Sequence, residues 1–111
     1  MEKSLNKVEL KGRVGQEPRI FNSESGGMVV RFNLATNELT KGKDNTFKEE
    51  TAWHNIVAWF KRGMPDFKEI KKGQFLEIQG KIKYSKYLPP EGQERYITEI
   101  IASKIIIPQQ G

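Results

Sequence analysis

The chain has 111 residues, about the size of one compact domain, and 36% of them are hydrophobic. Its 19 lysines and arginines exceed its 14 aspartates and glutamates, and the net charge of +5 favours a polyanionic partner, although an ordinary solvated basic surface would give the same balance. The lack of cysteine excludes disulfides, thiolate nucleophiles and cysteine-ligated metal sites, and no apolar run approaches the ~20 residues that cross a bilayer.

Three strands are predicted in the first half of the chain. Val8, Leu10 and Val14 alternate with polar residues, and this period of two is typical of a half-buried strand at the start of the chain. After a turn, apolar residues alternate again over residues 28–36. A charged loop at residues 40–45 without periodicity then leads to a third strand at residues 51–60, and both faces of this strand carry apolar residues.

The second half predicts a short helix and two more strands. Residues 65–72 begin with a proline and are followed by a glycine, the residues that favour a helix start and a helix stop. Strands are predicted at residues 74–87 and 95–107, because β-branched and aromatic residues are frequent there. A turn rich in proline and glycine separates them at residues 89–92.

The predicted order is therefore three strands, one short helix and two strands. Five strands with a short helix between the third and the fourth are the layout of the OB-fold, an all-β Greek-key barrel. We expect residues 1–111 to form one domain of this kind. The loops and one sheet face of the OB-fold bind oligonucleotides or oligosaccharides, so a binding site is expected on those surfaces.

The third predicted strand places two tryptophans on one face. Trp53, Asn55 and Trp59 share that face, whereas the other face supplies apolar residues to the core. Both tryptophans could instead be core residues, since large aromatic side chains usually pack. The polar Asn55 between them and the cations around them favour an exposed basic surface on which nucleobases of any identity can stack. The flanking cations are Lys48, Lys61 and Arg62.

A second segment, residues 81–87, is both basic and aromatic. It has two tyrosines among three lysines and no acidic residue, a pattern expected of a groove that follows a nucleic-acid strand. Taken alone, it could equally be an edge strand whose lysines prevent aggregation. The two tryptophans elsewhere in the chain favour the binding interpretation.

No arrangement of residues predicts catalysis. The single histidine, His54, lies on the strand face opposite the tryptophans and has no partners for metal binding or general-base chemistry. The carboxylates are scattered, and no Walker motif, dinucleotide fingerprint or serine elbow is present. We therefore expect a binding protein that is not an enzyme and that uses no cofactor and no metal.

Five segments follow, in order and with the same spacing, the pattern of one protein family. They are NKVELKGRVGQEPRI, FNLATNE, ETAWHNIVAWFK, IKKGQFLEIQGKIKYSKY and GQERYITEIIA. On these segments the chain resembles the DNA-binding domain of bacterial single-stranded DNA-binding proteins over essentially its whole length. The resemblance implies sequence-independent binding and protection of single-stranded DNA during replication, recombination and repair.

The resemblance also implies roles for individual residues. Bases are expected to stack on Trp53, Trp59 and Tyr87. His54 matches a position at the subunit interface, and members of this family are generally homotetramers built from two dimers. Phosphate contacts are implied for Lys43, Lys48, Lys61, Lys72, Lys83 and Lys86.

The chain departs from the family pattern in two places. Leu39 and Thr40 stand where the family commonly has another stacking tryptophan, so one stacking platform is expected to be missing. The chain stops at Gln109, Gln110 and Gly111, where the family usually continues into a flexible tail with an acidic, aromatic tip that recruits replication and repair enzymes. Recruitment through such a tail is therefore not expected of this chain, whether it is truncated or a tailless variant.

Other functions fit the same barrel. A primosomal accessory protein acting in replication restart shares it and often lacks the acidic tail, and a dimer would favour that function over a tetramer. A protein-interaction module would leave tryptophan fluorescence indifferent to oligo(dT), and a nuclease would cleave labelled single strands in magnesium.

The polar N-terminal segment MEKSLNK has no signal-peptide core, so a cytoplasmic, nucleoid-associated location is expected.

Overall fold

Strands account for most of residues 2–108, which the computed structural model describes. The strands are β1 (Val8–Val14), β2 (Arg19–Asn22), β3 (Met28–Lys41), β4 (Phe47–Trp59), β5 (Phe75–Tyr87) and β6 (Arg95–Ile106). The prediction of an all-β chain is confirmed. The predictions for Gln109, Gln110 and Gly111 lie outside the described residues.

Five of these strands close into a barrel. β1, β5, β6, β4 and β3 are neighbours in that order, and β1 also pairs with β3 at Arg13↔Ala35, which closes the ring. The ladders between ring strands are antiparallel, except that β4 and β6 run parallel where Ile56 pairs with Ile100. The predicted five-stranded OB-fold barrel is therefore confirmed.

The core fills the barrel with the inward-facing side chains of the ring strands. On β4, Ile56 and Ala58 point inward and are fully buried, in the period of two that the sequence shows. Burial of this apolar cluster at roughly 25 cal/mol per Å² is the main force that closes the sheet. The buried cluster consists of Val14, Val30, Phe32, Leu34, Ile56, Ala58, Phe67, Ile70, Leu76, Ile78, Ile100, Ala102 and Ile105.

β2 is a short strand that the sequence pattern does not predict. It pairs with the edge of β3 outside the ring, from Arg19↔Arg31 to Asn22↔Met28. All four of its residues are exposed, so β2 has no buried face that would impose alternation of apolar and polar side chains. Hydrogen bonding to β3, and not burial, therefore defines this strand.

The predicted helix at residues 65–72 is wrong in length, because only one turn of 3₁₀ helix forms, at Phe67–Glu69. Asp66 caps it, its carboxylate accepting a hydrogen bond from the Lys68 amide at 2.9 Å. Ile70 already has extended backbone angles, which end the turn. Phe67 and Ile70 are both buried, and a spacing of three residues brings them to the same side within a single turn.

β3 and β4 form a hairpin longer than predicted. Residues 40–41, expected in a loop, belong to β3, and β4 begins at Phe47. In the intervening turn Asn45 has a φ of 64°, which asparagine tolerates. The Asp44 carboxylate accepts hydrogen bonds from the side chain and the backbone of Thr46, which lower the pKa of Asp44. The hairpin ladder thus continues to Lys41↔Phe47.

Candidate nucleic-acid interface

The outer face of β4 carries both tryptophans. Trp53 is 59% exposed and Trp59 is 53% exposed, whereas Val57 between them is buried. The two indoles lie six residues apart on the same face, which corresponds to about 20 Å along a strand. They are therefore outside the hydrophobic core and reachable from solvent.

Each indole rests against a glycine of a neighbouring turn. A Cβ atom added to Gly15 would lie 2.2 Å from the Trp53 ring, and one added to Gly27 would lie 3.3 Å from the Trp59 ring. The backbone of each turn therefore covers part of one ring. This contact restricts how the indoles can reorient while leaving more than half of each side chain exposed.

Gly15→Ala is expected to displace the Trp53 indole. The added methyl overlaps the ring and meets no backbone atom among its closest neighbours, so the ring yields and the cost in stability stays at about 1 kcal/mol. In a Trp59→Phe background, the remaining emission should show increased quenching by acrylamide. Gly27→Ala in a Trp53→Phe background is the matched control, with little expected change at 3.3 Å. Unchanged quenching in the Gly15 variant would contradict the contact.

Lysines surround Trp59. A groove of about 570 Å³ beside its ring is lined by Lys61, a predicted phosphate ligand, and by Lys81 of the predicted basic segment 81–87. Lys7 also lines it, and the sequence pattern does not single out that residue. The Lys7 ammonium also pairs with Glu9 at 3.0 Å. The structure therefore joins the Trp59 ring to a cluster of cations drawn from the chain start, the end of β4 and β5.

The basic segment 81–87 lies on β5 and divides between its two sides. Lys83 and Tyr87 share a side with Ser85, as alternation requires. Lys86 points to the other side, where its ammonium pairs with Glu94 at 3.2 Å. The structure thus places Lys83 and Tyr87 on one side of β5, four residues apart, and Lys86 on the other side.

The other predicted phosphate ligands are dispersed. Lys43 lies in the turn of the β3–β4 hairpin. Lys48 lies on β4 directly opposite Thr40, on the strand face that does not carry the tryptophans. Lys72 is exposed near the β1–β2 turn, where its backbone amide donates to the Glu17 carboxylate at 3.4 Å.

His54 is half-buried on β4 next to Trp53. Its Nε2 atom lies 2.9 Å from the Thr36 hydroxyl on β3. A shallow pocket beside it is also lined by Tyr96 and Ile100 of β6. His54 therefore lies on the β4 face opposite the tryptophans, directly across from the buried Leu34, and its own chain covers it only in part.

Sequence reasoning missed two features of the outer face. Phe47 is 69% exposed and lies six residues before Trp53 on β4. An even spacing puts both residues on the same face of a strand, so this position can be read from the sequence. Arg31 on β3 forms an ion pair with Glu99 on β6. No local pattern predicts this pair, because its members are 68 residues apart.

Residues 2–108 contain neither a cluster of metal ligands nor a membrane-spanning helix. No group of three or more histidine, aspartate and glutamate side chains there could hold a metal ion. No helix in this part of the chain is long and apolar enough to cross a membrane.

Comparison with known sequences identifies similar proteins. The sequence profile of the single-strand binding protein family matches residues 5–107. A single-stranded DNA-binding protein of Xylella fastidiosa is 36% identical over 105 residues, which are 95% of this chain and 64% of that protein. The mitochondrial single-stranded DNA-binding protein 1-A of Xenopus laevis is 41% identical over 96% of this chain and 78% of its own length. The chain thus spans slightly less than two thirds of the bacterial relative.

Two solved structures share the barrel. One is a Plasmodium falciparum SSB complex with single-stranded DNA, with a TM-score of 0.83 and 36% identity over 98% of this chain and 99% of that chain. The other is a deletion mutant of the single-stranded DNA-binding protein from Thermus aquaticus, with a TM-score of 0.78 over 95% of this chain and 51% of that chain. At 17% identity, the second match supports the fold alone.

Proposed function

The chain belongs to the single-strand binding protein family, and we propose that it binds single-stranded DNA without sequence preference along the outer face of its barrel. The observation that carries the proposal is the exposure of Trp53 and Trp59 on one face, outside the core. The P. falciparum complex supports it, because a similar barrel is solved there with single-stranded DNA.

Stacking is the first part of the proposed mechanism. Bases lie against the rings of Trp53, Trp59 and Tyr87, and each stack contributes about 1–3 kcal/mol. Because every base has an aromatic face, stacking does not depend on sequence. A duplex hides those faces between its base pairs, so the same surface discriminates against double strands.

Phosphate neutralisation is the second part. Lysine ammonium groups replace counterions on the DNA, and the release of those counterions drives binding at low salt. The shared groove of Lys61 and Trp59, and the common side of β5 that carries Lys83 and Tyr87, support contacts of these two lysines with the strand between the platforms. The other proposed phosphate ligands are Lys43, Lys48, Lys72 and Lys86.

The logarithm of the affinity for oligo(dT) is expected to fall linearly with the logarithm of the salt concentration. The slope should be about 0.7 for each phosphate that the protein neutralises. Lys61→Ala should reduce that slope by about 0.7. Lys86→Ala is the matched control and should reduce it less, because Glu94 already pairs with that ammonium. Fluorescence titration across a salt series measures both slopes. Equal reductions would contradict the assigned difference between the two lysines.

The protein is a binding protein and not an enzyme. We propose that it protects unwound DNA during replication, recombination and repair. The proposed location is the cytoplasm, in association with the nucleoid.

We also propose a homotetramer built from two dimers, with His54 at the subunit interface. Its half-buried ring on the β4 face opposite the tryptophans supports that role, since a docking subunit would cover it. Light scattering of the protein at several concentrations tests the assembly. A mass of four chains of 12.8 kDa is expected, whereas a stable dimer would contradict the tetramer.

A further inference from the structure

An arginine and a glutamate are linked across the middle of the outer face. The Arg31 Nη1 atom on β3 donates to the Glu99 Oε2 atom on β6 at 2.6 Å. β4 lies between these two strands, and Val57 is the β4 residue directly opposite Arg31. Since neighbouring strands are about 4.8 Å apart, the Arg31 side chain has to extend across β4 to reach the carboxylate.

The two members of the pair differ in exposure. The Arg31 side chain is 53% exposed, whereas that of Glu99 is 10% exposed. The second carboxylate oxygen of Glu99 accepts a hydrogen bond from the Ser85 hydroxyl at 2.9 Å. A ligand that approaches this face therefore meets the guanidinium and not the carboxylate beneath it.

The pair lies between the two indoles. Along β4 the residues on this face are Trp53, Asn55, Val57 and Trp59. Arg31 pairs with Val57, which lies between the two tryptophans. A strand that stacks one base on each indole has to pass over this position, because the indoles are about 20 Å apart. A cavity of about 340 Å³ opens here, with Arg31, Asn33, Asn55, Phe21 and Glu99 among its lining residues.

We propose that Arg31 is a nucleobase-binding residue, whose guanidinium forms a stacking platform between Trp53 and Trp59. This inference rests on the proposed binding of single-stranded DNA. A guanidinium is planar and stacks on aromatic rings. A base is the expected ligand and not a phosphate, because Glu99 already neutralises the charge of Arg31 and would repel a second anion.

Glu99 is a positioning residue in this arrangement. Its carboxylate fixes the guanidinium through one oxygen and is itself fixed by Ser85 through the other. A side chain that is held before binding loses less conformational entropy when a base arrives. The ion pair therefore prepares the platform without touching DNA.

The test compares Arg31→Ala and Arg31→Lys with the wild type in oligo(dT) titrations at several salt concentrations. Both variants should bind about three- to thirtyfold more weakly, with an unchanged salt slope, because lysine restores the charge but not the planar group. Lys11→Ala is the matched control, since its ammonium also pairs with a carboxylate, that of Glu77 at 3.3 Å, but on the β1–β5 ladder and not on the strands that carry the indoles and Arg31. Its affinity should equal that of the wild type.

Two results would overturn the inference while leaving single-strand binding intact. One is wild-type affinity in Arg31→Ala. The other is wild-type affinity in Arg31→Lys together with a salt slope that is smaller by about 0.7 in Arg31→Ala. That combination would indicate a phosphate contact. Failure of the wild type itself to bind oligo(dT) would instead refute the proposed function. Thermal melts confirm that every titration is done on folded protein.

Glu99→Gln tests whether Glu99 positions the Arg31 guanidinium or only stabilises the fold. The amide keeps the size of the side chain but removes the charge that neutralises Arg31, so the freed guanidinium can pair with a phosphate. The salt slope should become steeper by about 0.7. A structural role alone would lower the melting temperature and leave the slope unchanged, and that result would contradict the positioning role.

Discussion

Replacing both Trp53 and Trp59 with alanine is expected to weaken binding to oligo(dT) by roughly 2–6 kcal/mol, since each lost stack is worth about 1–3 kcal/mol. Both rings are more than half exposed and neither belongs to the core cluster, so the barrel should remain folded. Anisotropy of a labelled oligonucleotide measures the loss in the absence of intrinsic tryptophan fluorescence. The effect should be largely retained at high salt, because stacking does not depend on counterion release.

Two control variants sharpen this expectation. The double change Trp53→Phe and Trp59→Phe keeps an aromatic face at each position and should retain most of the affinity. Tyr84→Ala removes a ring that is also highly exposed but points to the opposite side of β5 from Tyr87, so it should bind as the wild type does. A loss in Tyr84→Ala as large as that in the double alanine variant would show that exposed rings in general, and not this face, set the affinity.

Phe67→Ala is expected to destabilise the barrel by about 3–5 kcal/mol, the range for deleting a large aromatic ring from a core. Phe67 is fully buried in the single helical turn and packs edge-on against Phe60, with ring centroids 5.5 Å apart. This loss of stability is the sum of the burial free energy of the deleted ring and the cost of the cavity that the deletion leaves. Chemical denaturation monitored by circular dichroism measures it.

Phe60→Ala is the matched control for Phe67. It removes the other ring of the same pair, but Phe60 is exposed by about half, so it should cost little beyond the pair interaction of about 0.5–1.5 kcal/mol. The difference between the two variants isolates the burial of Phe67. Equal destabilisation would mean that the helical turn contributes to stability through the aromatic pair and not through the core.

The barrel could be predicted because its ring strands alternate. Ile56 and Ala58 point inward while Trp53 and Trp59 point outward, and this period of two is legible in the sequence without any other information. The same alternation predicts that Lys83 and Tyr87 share a side of β5. Patterns imposed by burial are therefore the part of the structure that sequence reasoning recovers.

The features that escaped prediction depend on contacts between distant segments. β2 exists because its backbone pairs with β3, although none of its side chains is buried. The turn at Phe67–Glu69 stops after three residues because Ile70 is drawn into the core in an extended conformation. Arg31 looked like an ordinary solvent-facing residue, since its partner Glu99 lies 68 residues away in sequence.

Tryptophan fluorescence titration with oligo(dT), compared with a duplex of equal length at the same salt, tests the central claim most directly. Exposed indoles that accept unpaired bases should be strongly quenched by the single strand, at concentrations where the duplex has little effect. Equal responses to both nucleic acids, or no response to either, would contradict single-strand recognition by Trp53 and Trp59.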